Sequence, residues 1–530
     1  MYNEMIYTIP KILENAVLEH PDKVALRYMS QSISYKEFYE KSECLAITLL
    51  QLNVKKGDRI GIYMNRCMES FIAVYGITMA GAVFVPLDPT APNERTQFLI
   101  DDCKIEHLVT VPAQSRAIVK IAAVSEGLQT IIGLDKDLDV NTVSWSNVYK
   151  SDRNSVEFPR VLGKDLAYIM YTSGSTGLPK GIMHTHNSCL AYAKGSKTLY
   201  DVAALDVIAS HAPLHFDIST FAYFTAPLAA STIVVLSDAH TKMPVSLAQL
   251  IEQEKISIWY SAPQALIQLF LNGLIEEKDF SSLRWVLFGG EVFPNKYIKQ
   301  LLALWPQAKF SNVYGPAEVN QCTYFNIDNT YEINEDLPLG TVWENTDYRI
   351  LDTNDKQVEK GTSGVLAIRS ETMMLGYYNN KPLTDKSFYH ESILSGYDHV
   401  FFKTGDVVKE NEIGQLLFIG RNDRQVKIRG YRVELDEIEA ILLQHIDVRE
   451  AVAYVEKNNN ESRDSVTAVV LLKNETSEID IKELKIHCSQ NLPKYAVPEE
   501  IYIMNEFPRT TSDKIDRNKI QIKISENHNG

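Results

Sequence analysis

Residues Tyr171-Thr-Ser-Gly-Ser-Thr-Gly-Leu-Pro-Lys180-Gly181 decide the reading of this chain. The apolar run 166–170 leads into them, so a strand delivers a loop rich in hydroxyls and glycine. Gly174 and Gly177 permit positive φ and let backbone N–H groups close on an oxyanion. Thr172, Ser173, Ser175 and Thr176 add hydroxyl donors, and Lys180 adds a positive charge. No Ser or Thr follows the lysine, so this is not a Walker A loop. A glycine- and serine-rich surface linker is the competing reading. The strand pattern before the loop and the Pro-Lys-Gly ending argue against it.

Four further segments follow in order: Asn312-Val-Tyr-Gly-Pro-Ala-Glu318, Lys403-Thr-Gly-Asp406, Gly420-Arg-Asn-Asp-Arg-Gln-Val-Lys-Ile-Arg-Gly-Tyr-Arg-Val-Glu434, and Pro508-Arg-Thr-Thr-Ser-Asp-Lys514-Ile-Asp-Arg517. Together with the first loop they closely resemble the adenylate-forming superfamily. That superfamily includes acyl-CoA synthetases, luciferases and the adenylation domains of nonribosomal peptide synthetases. The resemblance runs from Ile33-Ser-Tyr-Lys-Glu37 to Arg517. It implies a large N-terminal domain (1–422) of α/β sheets and a β-barrel-like subdomain. A small, mobile α+β C-terminal domain (423–530) would swivel on a hinge at Asp423.

Bulk properties agree with that scale. A length of 530 residues suits one large domain and a smaller one. Apolar and charged contents of 45% and 23% are ordinary for a soluble globular protein. A net charge of −15 without a basic stripe argues against nonspecific nucleic-acid binding. An anionic substrate such as ATP must then be held by local groups rather than by a global field. The six cysteines are scattered without metal-ligand spacing, which points to a reducing, cytoplasmic setting. The N-terminus lacks the basic and apolar regions of a signal peptide. The apolar run 71–87 is nearly long enough to cross a bilayer. It contains Gly76, Gly81 and Pro86 and runs into Asp88-Pro89, so a buried helix followed by a buried strand is expected.

Short β-rich runs at 59–63, 82–86, 232–236, 257–260 and 285–288 alternate with helical patterns, the signature of α/β architecture with largely parallel sheets. Near the start, Pro10 opens a helical repeat of Ile12, Leu13, Ala16 and Val17 that Pro21 ends. Beyond 423, helices are expected at 435–444 and 481–489. Strands are expected at 450–456 and 465–472, joined by an Asn-rich turn at 458–460.

The resemblance implies a two-step reaction: a carboxylate attacks the α-phosphorus of ATP, and a thiol then takes the acyl group from the adenylate. Residues Thr172, Ser173, Gly174, Ser175, Thr176, Gly177 and Lys180 would hold the β- and γ-phosphates. Gly289, Gly290, Glu291, Gly315, Ala317 and Phe418 complete the nucleotide site by the same resemblance. Glu318 would bind Mg²⁺, Tyr314 would stack on adenine, and Asn312 would meet its edge. Asp406 would take both ribose hydroxyls, with Arg421 reaching the same sugar. Lys514 would bridge the incoming carboxylate and the α-phosphate as negative charge builds. Lys427 and Gly430 would act in the thiol-transfer state. Singly, each has a duller reading: Glu318 as a helix-start acid, Asp406 as a turn former, Lys514 as a solvated lysine. In this joint order the functional reading prevails. Ala317 departs from the usual Thr, which removes a hydroxyl donor to the AMP phosphate at a cost of about 0.5–1.5 kcal/mol. His184 and His186 lack a third ligand and read as structural.

Asp217, in Leu214-His-Phe-Asp-Ile-Ser219, matches the place where amino-acid-activating members keep an Asp for the substrate ammonium. A fatty-acid pocket has no use for a buried carboxylate there. A helix-capping Asp is the alternative. By the same resemblance the pocket walls are Ile218, Phe221, Tyr260, Leu287, Gly289, Val313, Gln321 and Cys322. They imply a neutral, mostly apolar amino acid. Asp217, Tyr260, Leu287, Cys322 and Lys514 together look like free-standing L-proline adenylating enzymes, including those of anatoxin-type pathways. Valine or isoleucine is the runner-up, and an acyl- or aryl-CoA ligase or a catalytically dead binding protein are the rival classes. Gln321 has no account at this level. The chain ends thirteen residues after Arg517, too few for a carrier domain, so a phosphopantetheinylated carrier protein is expected in trans.

Overall fold

The sequence alternation resolves into stacked βα units in the computed structural model. The structure describes residues 5–152, 155–174, 178–327, 331, 336–456, 464–473, 480–509 and 515–528. Two compact units emerge. The first comprises 1–89, 100–171 and 181–422, and the second comprises 90–99, 172–180 and 423–530.

The first unit is built on three sheets. In the nine-stranded sheet the spatial order is Thr341–Val342, Thr323–Ile327, Lys309–Tyr314, Trp285–Gly289, Ile258–Ser261, Val207–Ser210, Thr232–Val235, Val24–Tyr28, Gln31–Ser34. The six strands from Lys309–Tyr314 to Val24–Tyr28 run parallel, and the outer ones pair antiparallel. Strands Ile258–Ser261 and Trp285–Gly289 are buried at every residue, as expected where helices cover both faces of a parallel sheet. An eight-stranded sheet carries Arg59–Tyr63, Val83–Leu87, Leu166–Thr172 and Lys180–Thr185. The β-rich subdomain is a five-stranded antiparallel sheet. Tyr397–Glu410 pairs there with Gly364–Ser370, Phe388–Leu394 and Leu416–Arg421.

The apolar run 71–87 forms helix Met68–Met79, buried at every position except Glu69, and the fully buried strand Val83–Leu87. Phe71 stacks on Tyr223 at 3.9 Å between ring centroids, and Tyr75 donates to the Tyr223 carbonyl at 2.9 Å. These contacts fix the segment that carries the pocket residues near 217–225. Among the described residues no helix is long and apolar enough to cross a membrane.

In the second unit, residues beyond 423 form the hairpin Gln425–Ile428 and Tyr431–Glu434 and a three-stranded sheet of Val448–Glu456, Ser465–Leu472 and Glu500–Met504. Helices Leu435–Gln444 and Ile481–Asn491 pack on a core that includes Ile438, Leu442, Val470 and Leu484. The hairpin turns on Arg429 and Gly430, both at positive φ (53° and 83°), a two-residue geometry that favours glycine. The Asn-rich turn 458–460 lies outside the described residues.

Candidate active site

Sheet register brings the expected pocket walls together. Tyr260 and Leu287 are Cα partners on adjacent parallel strands, and Leu287 pairs in turn with Ser311. Two residues on, Gly289 pairs with Val313. Alternation along a strand puts residues two apart on one face. The walls therefore share one face near the carboxyl ends of parallel strands, where open α/β sheets bind ligands. A Cβ on Gly289 would sit 2.2 Å from the Val313 carbonyl oxygen, so only glycine fits that crossing. Phe221 lies in a π-helical turn, Phe221–Thr225, that is buried throughout. Its ring meets Tyr260 edge-on at 5.8 Å between centroids. Leu287, Val313 and Cys322 are buried, and burial pushes the Cys322 thiol up, so it remains an inert apolar wall.

Asp217 opens the short helix Asp217–Ser219, and its Oδ1 accepts the Ile218 N–H at 2.9 Å. The sequence suggests a buried carboxylate, whereas Asp217 is only half-buried. A helix start leaves its first side chain at the edge of the packed core. Its charge still bears on the buried phenols of Tyr168, Tyr192 and Tyr260, which burial above all drives upward.

Gln321 is 1% exposed, and its Nε2 donates to Tyr200 Oη at 2.8 Å. Its Oε1 has no hydrogen-bond partner among the described residues, while the buried Ser311 hydroxyl bears on the same Tyr200 phenol. Leaving such an atom unmatched costs about 1–3 kcal/mol. Tyr200 and Ser311 escape motif reading. Ser311 alone carries a signal, two residues before Val313 on the same strand face.

The nucleotide candidates group around Asp406, which is buried on strand Tyr397–Glu410. Tyr314 donates its phenol proton to Asp406 Oδ2 at 2.5 Å, and Arg421 Nη1 holds Oδ1 at 2.5 Å. Burial, then the Asp406 charge, raises the Tyr314 phenol well above its ordinary range, so it stays a donor. Asn312 Nδ2 donates to the Pro338 carbonyl at 2.8 Å, which fixes the amide plane while one N–H is committed. Gly315 approaches the Asn320 backbone so closely that a Cβ would lie 2.1 Å from its oxygen. Gly290 follows the strand end at φ 94°, and Glu291 beside it is half-buried. Phe418 is 39% exposed on strand Leu416–Arg421.

Glu318 is fully buried and accepts the Tyr377 hydroxyl at 2.8 Å, while the Met374 N–H caps its backbone carbonyl at 2.7 Å. His184 Nε2 meets the Ala317 carbonyl at 2.9 Å and Nδ1 meets Ser188 Oγ at 3.2 Å. Burial lowers the His184 pKa to about 4, so it is a neutral structural partner. His186 accepts the Ile9 N–H at 3.1 Å and is likewise held near 4 by burial. Among the described residues no group of three His, Cys, Asp or Glu is arranged to hold a metal. One hard oxygen ligand at Glu318 still fits Mg²⁺, which usually draws much of its shell from phosphates and water.

In the phosphate-loop segment, Thr172 ends strand Leu166–Thr172, and Ser173 is buried. A Cβ on Gly174 would lie 2.2 Å from the Leu178 carbonyl oxygen. Gly174 and Leu178 therefore approach closely, and Lys180 opens the next strand. Ser175, Thr176, Gly177 and Lys514 lie outside the described residues. Beyond the domain junction, Asp423 is exposed and accepts the Gln425 N–H at 3.1 Å, and Lys427 is exposed on its hairpin strand.

Comparison with known proteins places this arrangement. Residues 13–378 match the family described as AMP-binding enzyme, and residues 437–514 match the AMP-binding enzyme C-terminal domain. An L-proline--[L-prolyl-carrier protein] ligase of Streptomyces coelicolor is 31% identical over 93% of this chain and 92% of its own length. A ligase of the same description from Pseudomonas fluorescens is 29% identical over 98% of each chain. The fold superposes on the amide bond synthetase McbA of Marinactinospora thermotolerans with a TM-score of 0.86. The identity is 20%, over 97% of this chain and 99% of that one. The chain belongs to the AMP-binding enzymes, the adenylate-forming ligases.

Proposed function

We propose that the protein is an amino-acid–carrier-protein ligase whose amino acid is L-proline. The amino-acid carboxylate attacks the α-phosphorus of ATP. The bond to the β-phosphate oxygen breaks, and pyrophosphate leaves. The phosphopantetheine thiol of a separate carrier protein, losing its proton, then attacks the acyl carbon, and AMP departs. Asp217 supports this reading most directly. It is a carboxylate beside mostly apolar walls, suited to the ammonium that an amino acid has and a fatty acid lacks.

Tyr314, Asn312, Asp406 and Arg421 would hold the nucleoside, and the segment Thr172–Lys180 would hold the phosphates. Bound through Glu318, Mg²⁺ would neutralise phosphate charge. Lys514 would steady the carboxylate and α-phosphate as they meet. The names of the relatives add support for proline and for a carrier protein as acceptor. The test is ATP–pyrophosphate exchange across a panel of amino, fatty and aryl acids. Exchange should peak with L-proline. A fatty or aryl acid that outperforms every amino acid overturns the proposal.

A further inference from the structure

Asn320 touches both halves of the candidate site. It follows the motif Asn312–Glu318 at φ 65°, in the left-handed region that Asn tolerates better than most side chains. Its N–H donates to the Pro316 carbonyl at 2.8 Å, and its own carbonyl forms the close crossing at Gly315. The Asn320 backbone is thus bound to the nucleotide motif. Its side chain reaches across 100 residues of chain to the buried Thr220, with Nδ2 at 3.2 Å and Oδ1 at 3.3 Å from Thr220 Oγ1. A hydroxyl has one proton to give, and that of Thr220 goes to the Asp217 carbonyl at 2.6 Å. Thr220 Oγ1 therefore accepts from Asn320 Nδ2. The same amide engages the Tyr168 phenol, where it opposes the rise that burial produces. Asp217 Oδ1 is held in turn by the Ile218 N–H, so the carboxylate is fixed to the turn that Thr220 closes.

Resting on the reading of Asp217 as the ammonium partner, we propose that Asn320 is a positioning residue that holds the Asp217 turn in register with the nucleotide motif. The carboxylate of the amino acid must meet the α-phosphorus while its ammonium stays on Asp217. A misplacement of about 1 Å in such an arrangement costs on the order of 10²-fold. Cutting the tie removes no group that the reading places against a ligand. The signature is therefore a loss of coupling between the two half-sites, with each half-site intact.

The experiment compares, by calorimetry on the full-length protein, the Kd of AMP with that of a stable prolyl-adenylate analogue carrying a sulfamate in place of the phosphate. Their ratio reports how well the two half-sites act together. Asn320→Gly keeps the left-handed backbone and removes the amide. It should cut the ratio by at least about tenfold, the scale of lost alignment, while the Kd of AMP stays within about twofold. Thr220→Val should act likewise, and Thr220→Ser, which keeps the hydroxyl, should restore most of the ratio. The double variant Asn320→Gly/Thr220→Val should lose little beyond either single change, because both cut one tie. Thermal melts establish which variants fold, and if Asn320→Gly does not, the contrast between valine and serine at 220 decides the matter. An unchanged ratio in Asn320→Gly, equal ratios for the two Thr220 variants, or a parallel loss of AMP and analogue affinity overturns the inference. If exchange shows that a different amino acid is activated, the proline reading alone fails, and the adenylate analogue of that amino acid should give the same pattern. If no amino acid is activated, the reading of Asp217 fails and takes this inference with it.

Discussion

Tyr314 and Asp406 are joined by a 2.5 Å hydrogen bond across 92 residues of chain. Tyr314 ends a strand of the nine-stranded sheet, and Asp406 lies on a strand of the antiparallel subdomain. Arg421 occupies the other carboxylate oxygen, so Asp406 is oriented before any ligand arrives. A carboxylate has about four acceptor positions. Two protein donors leave room for two more, the number of hydroxyls a ribose presents. The same bond locks the Tyr314 ring, the surface on which adenine would stack.

Removing that bond while keeping the ring tests whether orientation matters. Tyr314→Phe should raise the KM for ATP by roughly tenfold, in line with about 1.5 kcal/mol for a hydrogen bond to a charged group. The KM for the amino acid should change little. An ATP KM within twofold of wild type would remove the bond from nucleotide binding.

The buried histidines set an acid limit on stability. His184 and His186 are held near pKa 4 by burial, against an ordinary 6.5. Between those values the unfolded chain binds more protons than the native one. Stability is therefore fully present above about pH 6.5 and falls as pH drops toward 4. Each tenfold change in proton affinity is worth about 1.4 kcal/mol, so the two histidines together contribute several kcal/mol. The melting temperature should fall steadily from pH 6.5 to pH 4.5. His186→Gln should flatten that slope, and an identical slope in the variant would count against His186.

How much of this was legible beforehand follows from what sequence patterns encode. Apolar runs and helical repeats mark which face of an element is buried, so the strands near 59, 83, 232, 258 and 285 and the helix-then-strand at 68–87 could be read directly. Glycine-rich motifs mark backbone crossings, as at Gly289 and Gly315. Neither signal says which distant side chain completes a hydrogen bond. Gln321 meets Tyr200 across 121 residues, and Glu318 meets Tyr377 across 59. These partners are chosen by packing, and Tyr377 and Tyr200 carry no motif. The π-helical turn at Phe221 was equally silent, because its residues have ordinary helical spacing.

Lys514 is expected to act at the reacting centre in adenylation and not in thiol transfer. Lys514→Ala should slow adenylate formation by about 10²–10³-fold, the scale seen when one preorganised stabilising group is removed. Single-turnover transfer from preformed aminoacyl-adenylate to a carrier protein should stay within a few-fold of wild type. Equal losses in the two half-reactions would sink this assignment.

The last prediction joins Asp217 to substrate class and the walls to substrate identity. Any α-amino acid offers an ammonium, so Asp217 as its partner would select amino acids without choosing among them. Asp217→Ala should abolish exchange with every amino acid, since removing one partner of a desolvated pair costs about 3–5 kcal/mol. Because Asp217 is only half-buried, the lower end of that range is expected. Choice among amino acids would then fall to Phe221, Tyr260, Leu287 and Val313. The Phe221 and Tyr260 rings, packed edge to face, take up the volume that a long side chain needs. One methylene in such a pocket discriminates by only about 1–3 kcal/mol. Valine and isoleucine should therefore show weak activity rather than none, below that of L-proline. Valine or isoleucine exceeding L-proline would transfer the assignment to branched chains. Retained amino-acid exchange in Asp217→Ala would remove the ammonium contact on which the whole class assignment stands.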